Sequence, residues 1–123
     1  MFQKVELRLS GSGGQGVILA AIIMADAAIE QGINAIQTQS YGPEARGGAS
    51  KAEVIISKDE IKYPKVTNCD ILLALTQSSY DKYIASLSKN GILVADESVN
   101  VNRDALYKIY RLPILDTAQN KIG

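Results

Sequence analysis

The chain has 123 residues, of which 46% are apolar and 21% are charged, as in an ordinary globular domain. Thirteen Lys and Arg balance thirteen Asp and Glu, so no net charge favours binding to a nucleic acid or to an anionic membrane. The sequence has no histidine and a single cysteine, Cys69. This composition excludes an internal disulfide and an iron–sulfur cluster held by this chain alone, and it leaves poor material for a zinc site.

The first residues, MFQKVELRLSG, do not have the form of a signal peptide, because Lys4, Glu6 and Arg8 interrupt any apolar core. The longest apolar run covers residues 17–25 and is far too short to span a bilayer. We therefore expect a reduced, soluble protein of the cytoplasm.

The first half of the chain alternates strand and helix signals. Val5, Leu7 and Leu9 alternate with polar residues, as in a half-buried strand. The residues from Val17 to Ile29 are apolar at every position but one, so we expect little of the helix there to face water. The predicted elements are a strand ending at Ser10, a helix from about Gly14 to Gln31 stopped by Gly32, strands at 33–40 and 51–57, and a turn with a short edge segment at 58–64.

The second half continues the alternation. Residues 70–76 and 91–96 are continuous apolar runs, which are typical of strands covered on both faces. Apolar residues at helical spacing predict a helix over 77–90, with Ser78 or Ser79 as its cap, and residues 107–115 predict a last strand. Strands alternating with helices indicate an α/β, Rossmann-like layered fold with a mostly parallel sheet.

The sequence stops soon after the last predicted strand, where a doubly wound fold supplies another covering helix. We therefore expect the covering layer to be incomplete at this end. Either the chain is a fragment or a partner covers that face.

A first glycine loop, GSGGQG at residues 11–16, fits the pattern G-x-G-x-x-G between a predicted strand and a predicted helix. Gly11 would allow the tight turn, Gly13 the approach of a phosphate to the backbone, and Gly16 close packing of helix and strand. The same loop could serve only to turn the chain.

An NAD site would also need an acidic residue at the end of the second strand, and residues 37–40 contain none. A pyrophosphate ligand without that requirement fits better.

A second loop, YGPEARGG at residues 41–48, would leave the carboxyl end of the second strand close to the first loop. Arg46 could pair with a phosphate through two hydrogen bonds, and the ring of Tyr41 offers a stacking surface. The alternative is a solvated turn with a local pair between Glu44 and Arg46, which would contribute little energy.

The sequence resembles the gamma subunit of 2-oxoacid:ferredoxin oxidoreductases, and the 2-oxoglutarate type most. Three stretches together carry the resemblance: GSGGQGVILA, NAIQTQSYGPEARGGASKAEVIIS and DILLALTQSSYDKY. The resemblance covers residues 1–123 as a single gamma-type domain, although chains of this family usually continue further. It implies a multisubunit enzyme that oxidatively decarboxylates a 2-oxoacid, reduces ferredoxin and transfers the acyl group to coenzyme A, or runs in the reverse, CO₂-fixing direction.

The resemblance also implies how the work is divided between chains. This sequence has neither the GDG…N pattern of a thiamin diphosphate and magnesium site nor the cysteines of an iron–sulfur cluster. These groups are therefore expected on partner subunits of the alpha, beta and delta types. We expect no catalytic residue and no metal ligand on this chain, and no activity when it is isolated.

In related single-chain pyruvate enzymes, the domain similar to this one helps to hold coenzyme A, whose ribose carries a phosphate and needs no acidic partner. The resemblance therefore implies a coenzyme A site in two parts. The pyrophosphate cradle would be Gly11, Ser12, Gly13, Gly14, Gln15 and Gly16, and the second wall would be Tyr41, Gly42, Glu44, Arg46, Gly47 and Gly48. The alternative is a non-catalytic structural subunit whose glycine loops only pack against partners.

Four other residues have chemically active side chains but are assigned mainly structural roles. Cys69 precedes a buried strand and is expected to be packed rather than reactive. Tyr80 and Tyr83, three residues apart on a predicted helix, are expected in the core or at an interface. Asp96 ends a predicted strand at the ligand edge, where a polar contact is possible.

Overall fold

The computed structural model describes residues 3–12, 16–39, 50–102 and 107–117. These residues form an open α/β sheet with helices on both faces. In chain order the elements are β1 (Lys4–Gly11), α1 (Val17–Glu30), β2 (Asn34–Gln39), β3 (Ser50–Ser57), β4 (Cys69–Ala74), α2 (Gln77–Tyr83), a 3-10 turn (Ile84–Ser86), β5 (Leu87–Asp96), β6 (Lys108–Leu112) and α3 (Ile114–Thr117).

The six strands lie in the order β2-β3-β1-β4-β5-β6. Strands β1, β4, β5 and β6 pair in parallel. Strand β3 is antiparallel to both of its neighbours, so β2 runs in the same direction as β1. All strands but β3 therefore have their carboxyl ends at one edge of the sheet, the carboxyl edge. This arrangement confirms the predicted mostly parallel sheet. The antiparallel β3 between β1 and β2 was not predicted.

Side-chain alternation along β1 divides the core into two layers. Leu7 and Leu9 point to one face of the sheet and pack with Val17, Ala21 and other residues of α1. On the other face, α2 packs against β1 and β4. There Leu72 and Leu93 are fully buried with the two tyrosines of α2. Strand β1 is thus covered by a helix on each face of the sheet.

Helix α1 differs from its prediction in two ways. It begins at Val17 rather than near Gly14, because Gly16 is its N-cap and has a left-handed backbone. The expectation that little of the helix would face water is wrong. Leu19, Ile22, Ile23 and Ile29 are between 39% and 61% exposed, because the sheet covers only the side that carries Val17, Ala21, Ala25 and Ala28.

The predicted helix over residues 77–90 is also too long. Helix α2 ends at Tyr83, and Leu87 already begins β5, where it pairs with Cys69. The Ser86 hydroxyl donates to the Tyr83 carbonyl at 2.7 Å and accepts from Arg8 Nη1 at 2.5 Å. The helix therefore ends where Ser86 contacts Arg8 of β1 and Leu87 pairs with Cys69 of β4. The N-cap is Thr76 rather than Ser78 or Ser79.

Two smaller predictions are wrong at their ends. Residues 58–64 contain no strand, so the predicted edge segment is not formed. The last strand ends at Leu112 instead of continuing to 115, because Pro113 cannot donate a ladder hydrogen bond. Helix α3 follows at once, and Ile114 and Leu115 pack against the α1 layer.

Candidate functional site

The described ends of both glycine loops lie together at the carboxyl edge. Strand β1 ends at Gly11, which pairs with Ser50, the first residue of β3. Ala52 pairs with Leu9 on one side and with Gln39, the last residue of β2, on the other. Segments 12–16 and 40–49 therefore begin at the same edge of the sheet, the first at the end of β1 and the second at the end of β2, with β3 between these two strands.

Hydrogen bonds fix the end of β1 from both sides. The Ser50 hydroxyl donates to the Gly11 carbonyl at 3.2 Å. The Leu75 backbone N–H donates to the Ser10 carbonyl at 3.0 Å, and the Ser10 hydroxyl donates to the Leu73 carbonyl at 2.8 Å. Because Ser10 is fully buried, the point from which the first loop leaves is held firmly in place.

Gly16 has a different role from the one predicted. Its φ is 79° and ψ is 12°, a left-handed conformation that glycine adopts at no steric cost. A Cβ built on it would have no neighbour within 4 Å. The expectation that Gly16 permits close packing of helix and strand is therefore wrong, and the position needs glycine for its backbone angles.

The start of α1 is electrostatically suited to an anion. The Ala20 N–H donates to the Gly16 carbonyl at 3.0 Å, but Gly16 provides no side-chain cap for the preceding N–H groups. The first turn carries no acidic residue. The N–H groups of residues 17–19 and the positive end of the helix dipole therefore lie at this edge, where they favour negative charge.

Only part of the predicted site lies within the described residues. Gly11, Ser12 and Gly16 are described, and Ser12 is half-buried. The other predicted site residues lie outside the described ranges: Gly13, Gly14, Gln15, Tyr41, Gly42, Glu44, Arg46, Gly47 and Gly48. The structure thus brings together the ends of the two loops, and the assignment of their inner residues stays a prediction.

Asp96, at the same edge of the sheet, is used within the fold. Its carboxylate accepts hydrogen bonds from the Ser98 hydroxyl at 2.5 Å, the Ser98 N–H at 3.0 Å and the Leu115 N–H at 2.8 Å. Burial raises the pKa of Asp96, but these hydrogen bonds outweigh it and leave the pKa below its ordinary value. The polar contact considered for this residue is therefore made to its own chain, where it anchors α3.

Cys69, Tyr80 and Tyr83 are packed, as predicted. Cys69 is 1% exposed, and burial raises the pKa of its thiol to about 11. Both tyrosines are buried, and the Tyr80 hydroxyl accepts from the Asn102 N–H at 2.9 Å. Burial and a hydrogen bond with Tyr80 raise the pKa of Tyr107 to about 12. The Cys69 thiol and the Tyr107 hydroxyl therefore stay uncharged at neutral pH.

A charged cluster inside the sheet was not predicted. Arg8 pairs with Glu53 in the β1–β3 register, and Arg8 Nε lies 2.6 Å from Glu53 Oε2. Both residues are only 8% exposed. Lys51 Nζ lies 3.7 Å from the same carboxylate oxygen. In the sequence these residues occupy the expected polar positions of alternating strands, so only the strand pairing reveals that they meet.

The residues in the described ranges include no helix long and apolar enough to cross a membrane. Within the same ranges, no three His, Cys, Asp or Glu side chains are grouped so that they could hold a metal ion.

The model of one protein family, pyruvate ferredoxin/flavodoxin oxidoreductase, matches residues 6–123. The chain belongs to this family. A relative from Methanocaldococcus jannaschii, 2-oxoglutarate synthase subunit KorC, is 47% identical over 122 residues, which cover 95% of this chain and 65% of the relative. The chain thus spans about two thirds of that relative's length. These matches confirm the family resemblance inferred from the glycine loops.

Solved structures share the fold. The gamma subunit of a keto/oxoacid ferredoxin oxidoreductase from Geobacter sulfurreducens superposes with a TM-score of 0.85 at 48% identity, covering 98% of this chain and 66% of that one. A 2-oxoglutarate:ferredoxin oxidoreductase from Magnetococcus marinus, solved with 2-oxoglutarate, coenzyme A and succinyl-CoA bound, superposes with a TM-score of 0.82. At 20% identity, over 97% of this chain and 21% of that one, the second match shows a common fold.

Proposed function

We propose that this chain is the gamma subunit of a multisubunit 2-oxoglutarate:ferredoxin oxidoreductase, a single gamma-type domain over residues 1–123. In that reaction 2-oxoglutarate loses CO₂, two electrons pass to ferredoxin, and coenzyme A receives the succinyl group. The names of the Methanocaldococcus and Geobacter relatives support this assignment. The use of coenzyme A, an intracellular substrate, agrees with a cytoplasmic location.

The chain's own part in this reaction is to bind coenzyme A. The observation that carries this proposal is the pairing of Gly11 with Ser50, which places the ends of both glycine loops beside the start of α1. The N–H groups of the first turn would donate to the pyrophosphate, and Arg46 from the second loop would add a charge-assisted hydrogen bond. None of these groups acts on the bonds that react.

The decarboxylation chemistry is assigned to partner chains. The single cysteine does not fit an iron–sulfur cluster, since Cys69 is buried and its Sγ lies 3.2 Å from the Ile71 carbonyl oxygen. The described residues offer no carboxylate cluster for the magnesium ion of thiamin diphosphate. We therefore place thiamin diphosphate, magnesium and the clusters on subunits of the alpha, beta and delta types, through which electrons would reach ferredoxin.

Two glycines that flank α1 provide a matched test. Gly16 and Gly32 have φ values of 79° and 80°, and a Cβ at either would meet no atom within 4 Å. Gly16→Ala and Gly32→Ala should each lower the free energy of unfolding by about 1 kcal/mol, because alanine is strained in the left-handed region. Only Gly16 lies at the loop junction, so only Gly16→Ala should raise the coenzyme A KM, by about tenfold.

The measurement is steady-state kinetics of the assembled complex with coenzyme A and with 2-oxoglutarate, after gel filtration has shown intact assembly. The 2-oxoglutarate KM should be unchanged in both variants, because that substrate reacts on other chains. Equal coenzyme A KM values for Gly16→Ala and Gly32→Ala would refute the proposed site. Loss of assembly in Gly16→Ala alone would instead support loops that pack against partners.

That second function, a structural subunit without a ligand, is favoured by one observation. The outer side of α1 carries four large apolar side chains that are at least 39% exposed, Leu19, Ile22, Ile23 and Ile29. A helix that exposes this much apolar surface is typical of an element buried in an assembly. A partner contact along the side of α1 does not by itself exclude coenzyme A at the N-terminus of the helix, so the coenzyme A kinetics of Gly16→Ala distinguish the two functions.

A further inference from the structure

A cavity lies on the sheet face opposite α1 and extends to Gln39, the last residue of β2. Its volume is about 410 Å³, within the range of small-molecule sites. It is lined by Arg8, Thr38, Gln39, Lys51, Glu53, Pro64, Lys65 and Val66. Helix α2 packs over β1 and β4, so it leaves this side of the face open.

The floor of the cavity is a polar row across three neighbouring strands. The register aligns Thr38 of β2 with Glu53 of β3, and Glu53 with Arg8 of β1. The segment that contains Pro64 and Val66 adds an apolar wall. A polar row in the middle of a sheet lowers the stability of the fold unless its charges are compensated, because each buried charge loses its hydration.

The charges of the cavity do not balance. Among the described lining residues, Arg8, Lys51 and Lys65 are positively charged and Glu53 is negatively charged, which leaves an excess of two positive charges. Arg8 and Lys51 share one oxygen of Glu53, at 2.6 and 3.7 Å. The Arg8 contacts with Glu53 and Ser86 use Nε and Nη1.

An aromatic ring lies beside the same cations. Arg8 Cζ and Lys51 Nζ lie 5.6 and 5.8 Å from the centroid of the Tyr83 ring, and Lys82 Nζ lies 5.5 Å from it. The ring is buried and stabilises cations weakly through its π face. It therefore orients the positive groups beside the cavity but does not neutralise them.

We propose that this cavity binds a small dianion, either a phosphate monoester or a dicarboxylate. Lys51 and Arg8 would hold one oxyanion above Glu53, Lys65 would close the open side, and the Thr38 hydroxyl would donate a further hydrogen bond. The apolar wall of Pro64 and Val66 would contact the carbon part of the ligand. Two negative charges match the two excess positive charges of the lining.

Calorimetric titration of the full chain tests this site, with inorganic phosphate and succinate as probes in separate experiments at constant ionic strength. We expect one saturable site for at least one probe, and the probe that binds identifies the ligand class. Lys51→Met should weaken that binding by at least about tenfold, and Lys65→Met by a few fold. Lys89→Met, an exposed lysine on β5 away from the cavity, should leave binding unchanged.

Three results would overturn the proposal. The first is the absence of saturable binding of either probe up to tens of millimolar. The second is equal weakening in Lys51→Met and Lys89→Met, which would indicate attraction by overall charge. The third is binding that Gly16→Ala abolishes and Lys51→Met does not, which would place the anion at the start of α1. That last result would still agree with the proposed coenzyme A site, so the two proposals can fail separately.

Discussion

At the scale of single residues, the buried ion pair of Arg8 and Glu53 shows best how neighbouring strands determine chemistry. Each residue alone occupies an ordinary polar position of an alternating strand. The pairing of β1 with β3 brings their side chains to 2.6 Å in a region where both are 8% exposed. Removing one partner of such a pair leaves the other charge buried without compensation, which costs more than the pair contributes.

Glu53→Gln should therefore destabilise the chain strongly. Without the carboxylate, Arg8 and Lys51 face each other uncompensated, and we expect a loss of about 3 kcal/mol in the free energy of unfolding. Urea denaturation measures it. Glu60→Gln is the control, because Glu60 is exposed in the turn after β3. If the two variants were equally stable, the ion pair would have no structural importance.

Asp96 gives the fold a predictable response to acid. Its pKa is lowered from an ordinary value of 3.8 in the folded chain, so the ionised form stabilises the fold fully above about pH 4. This contribution is lost as the pH falls through the lowered pKa, where the carboxylate becomes protonated in the folded state as well.

Asp96→Asn should accordingly be less stable than the unmodified chain by about 1–3 kcal/mol at pH 7, because the bonds from Ser98 and Leu115 lose their charged acceptor. The difference should shrink below pH 4. Thermal unfolding followed by circular dichroism between pH 7 and pH 2.5 measures both quantities. A stability difference that stayed constant over this range would contradict the role assigned to the charge.

At the scale of elements, the first three strands were predicted best, whereas β5 begins at Leu87 instead of residue 91. Strands β1, β2 and β3 match their predictions within about one residue at each end, because alternation and flanking glycines are local signals. The helix after β4 was predicted too long, because its end depends on Ser86 meeting Arg8 and on Leu87 pairing with Cys69. Those partners are distant in sequence. The N-cap of this helix could have been predicted from the sequence, since Thr76 and Ser79 have the spacing of a capping box.

The exposed side of α1 should make the isolated chain associate with itself. Leu19 and Ile23, one turn apart and 61% and 58% exposed, form the most accessible part of this surface. We expect concentration-dependent self-association in sedimentation velocity experiments, and we expect Leu19→Gln with Ile23→Gln to reduce it without loss of folding stability. A strictly monomeric profile of the unmodified chain at high concentration would contradict this expectation.

At the scale of the whole molecule, the fold class and the family could be predicted from sequence, and the details of the site could not. Two glycine loops with a characteristic order of residues identified the family, and the alternation of elements identified the layered sheet. The cavity beside Arg8 could not be predicted, because it depends on β3 lying between β1 and β2. The role of Gly16 was predicted incorrectly, since sequence does not distinguish a glycine needed for packing from one needed for a positive φ.

The central claim is that the junction of the two glycine loops binds the phosphates of coenzyme A. The most direct test compares coenzyme A with pantetheine, which has the same thiol arm but lacks the nucleotide and its phosphates, as substrates of the assembled complex carrying Arg46→Ala. We predict that kcat/KM for coenzyme A falls by roughly 10- to 150-fold, the loss of about 1.5–3 kcal/mol for a charge-assisted hydrogen bond, while kcat/KM for pantetheine is unchanged. An equal fall for both substrates, or no fall for coenzyme A, would contradict the claim.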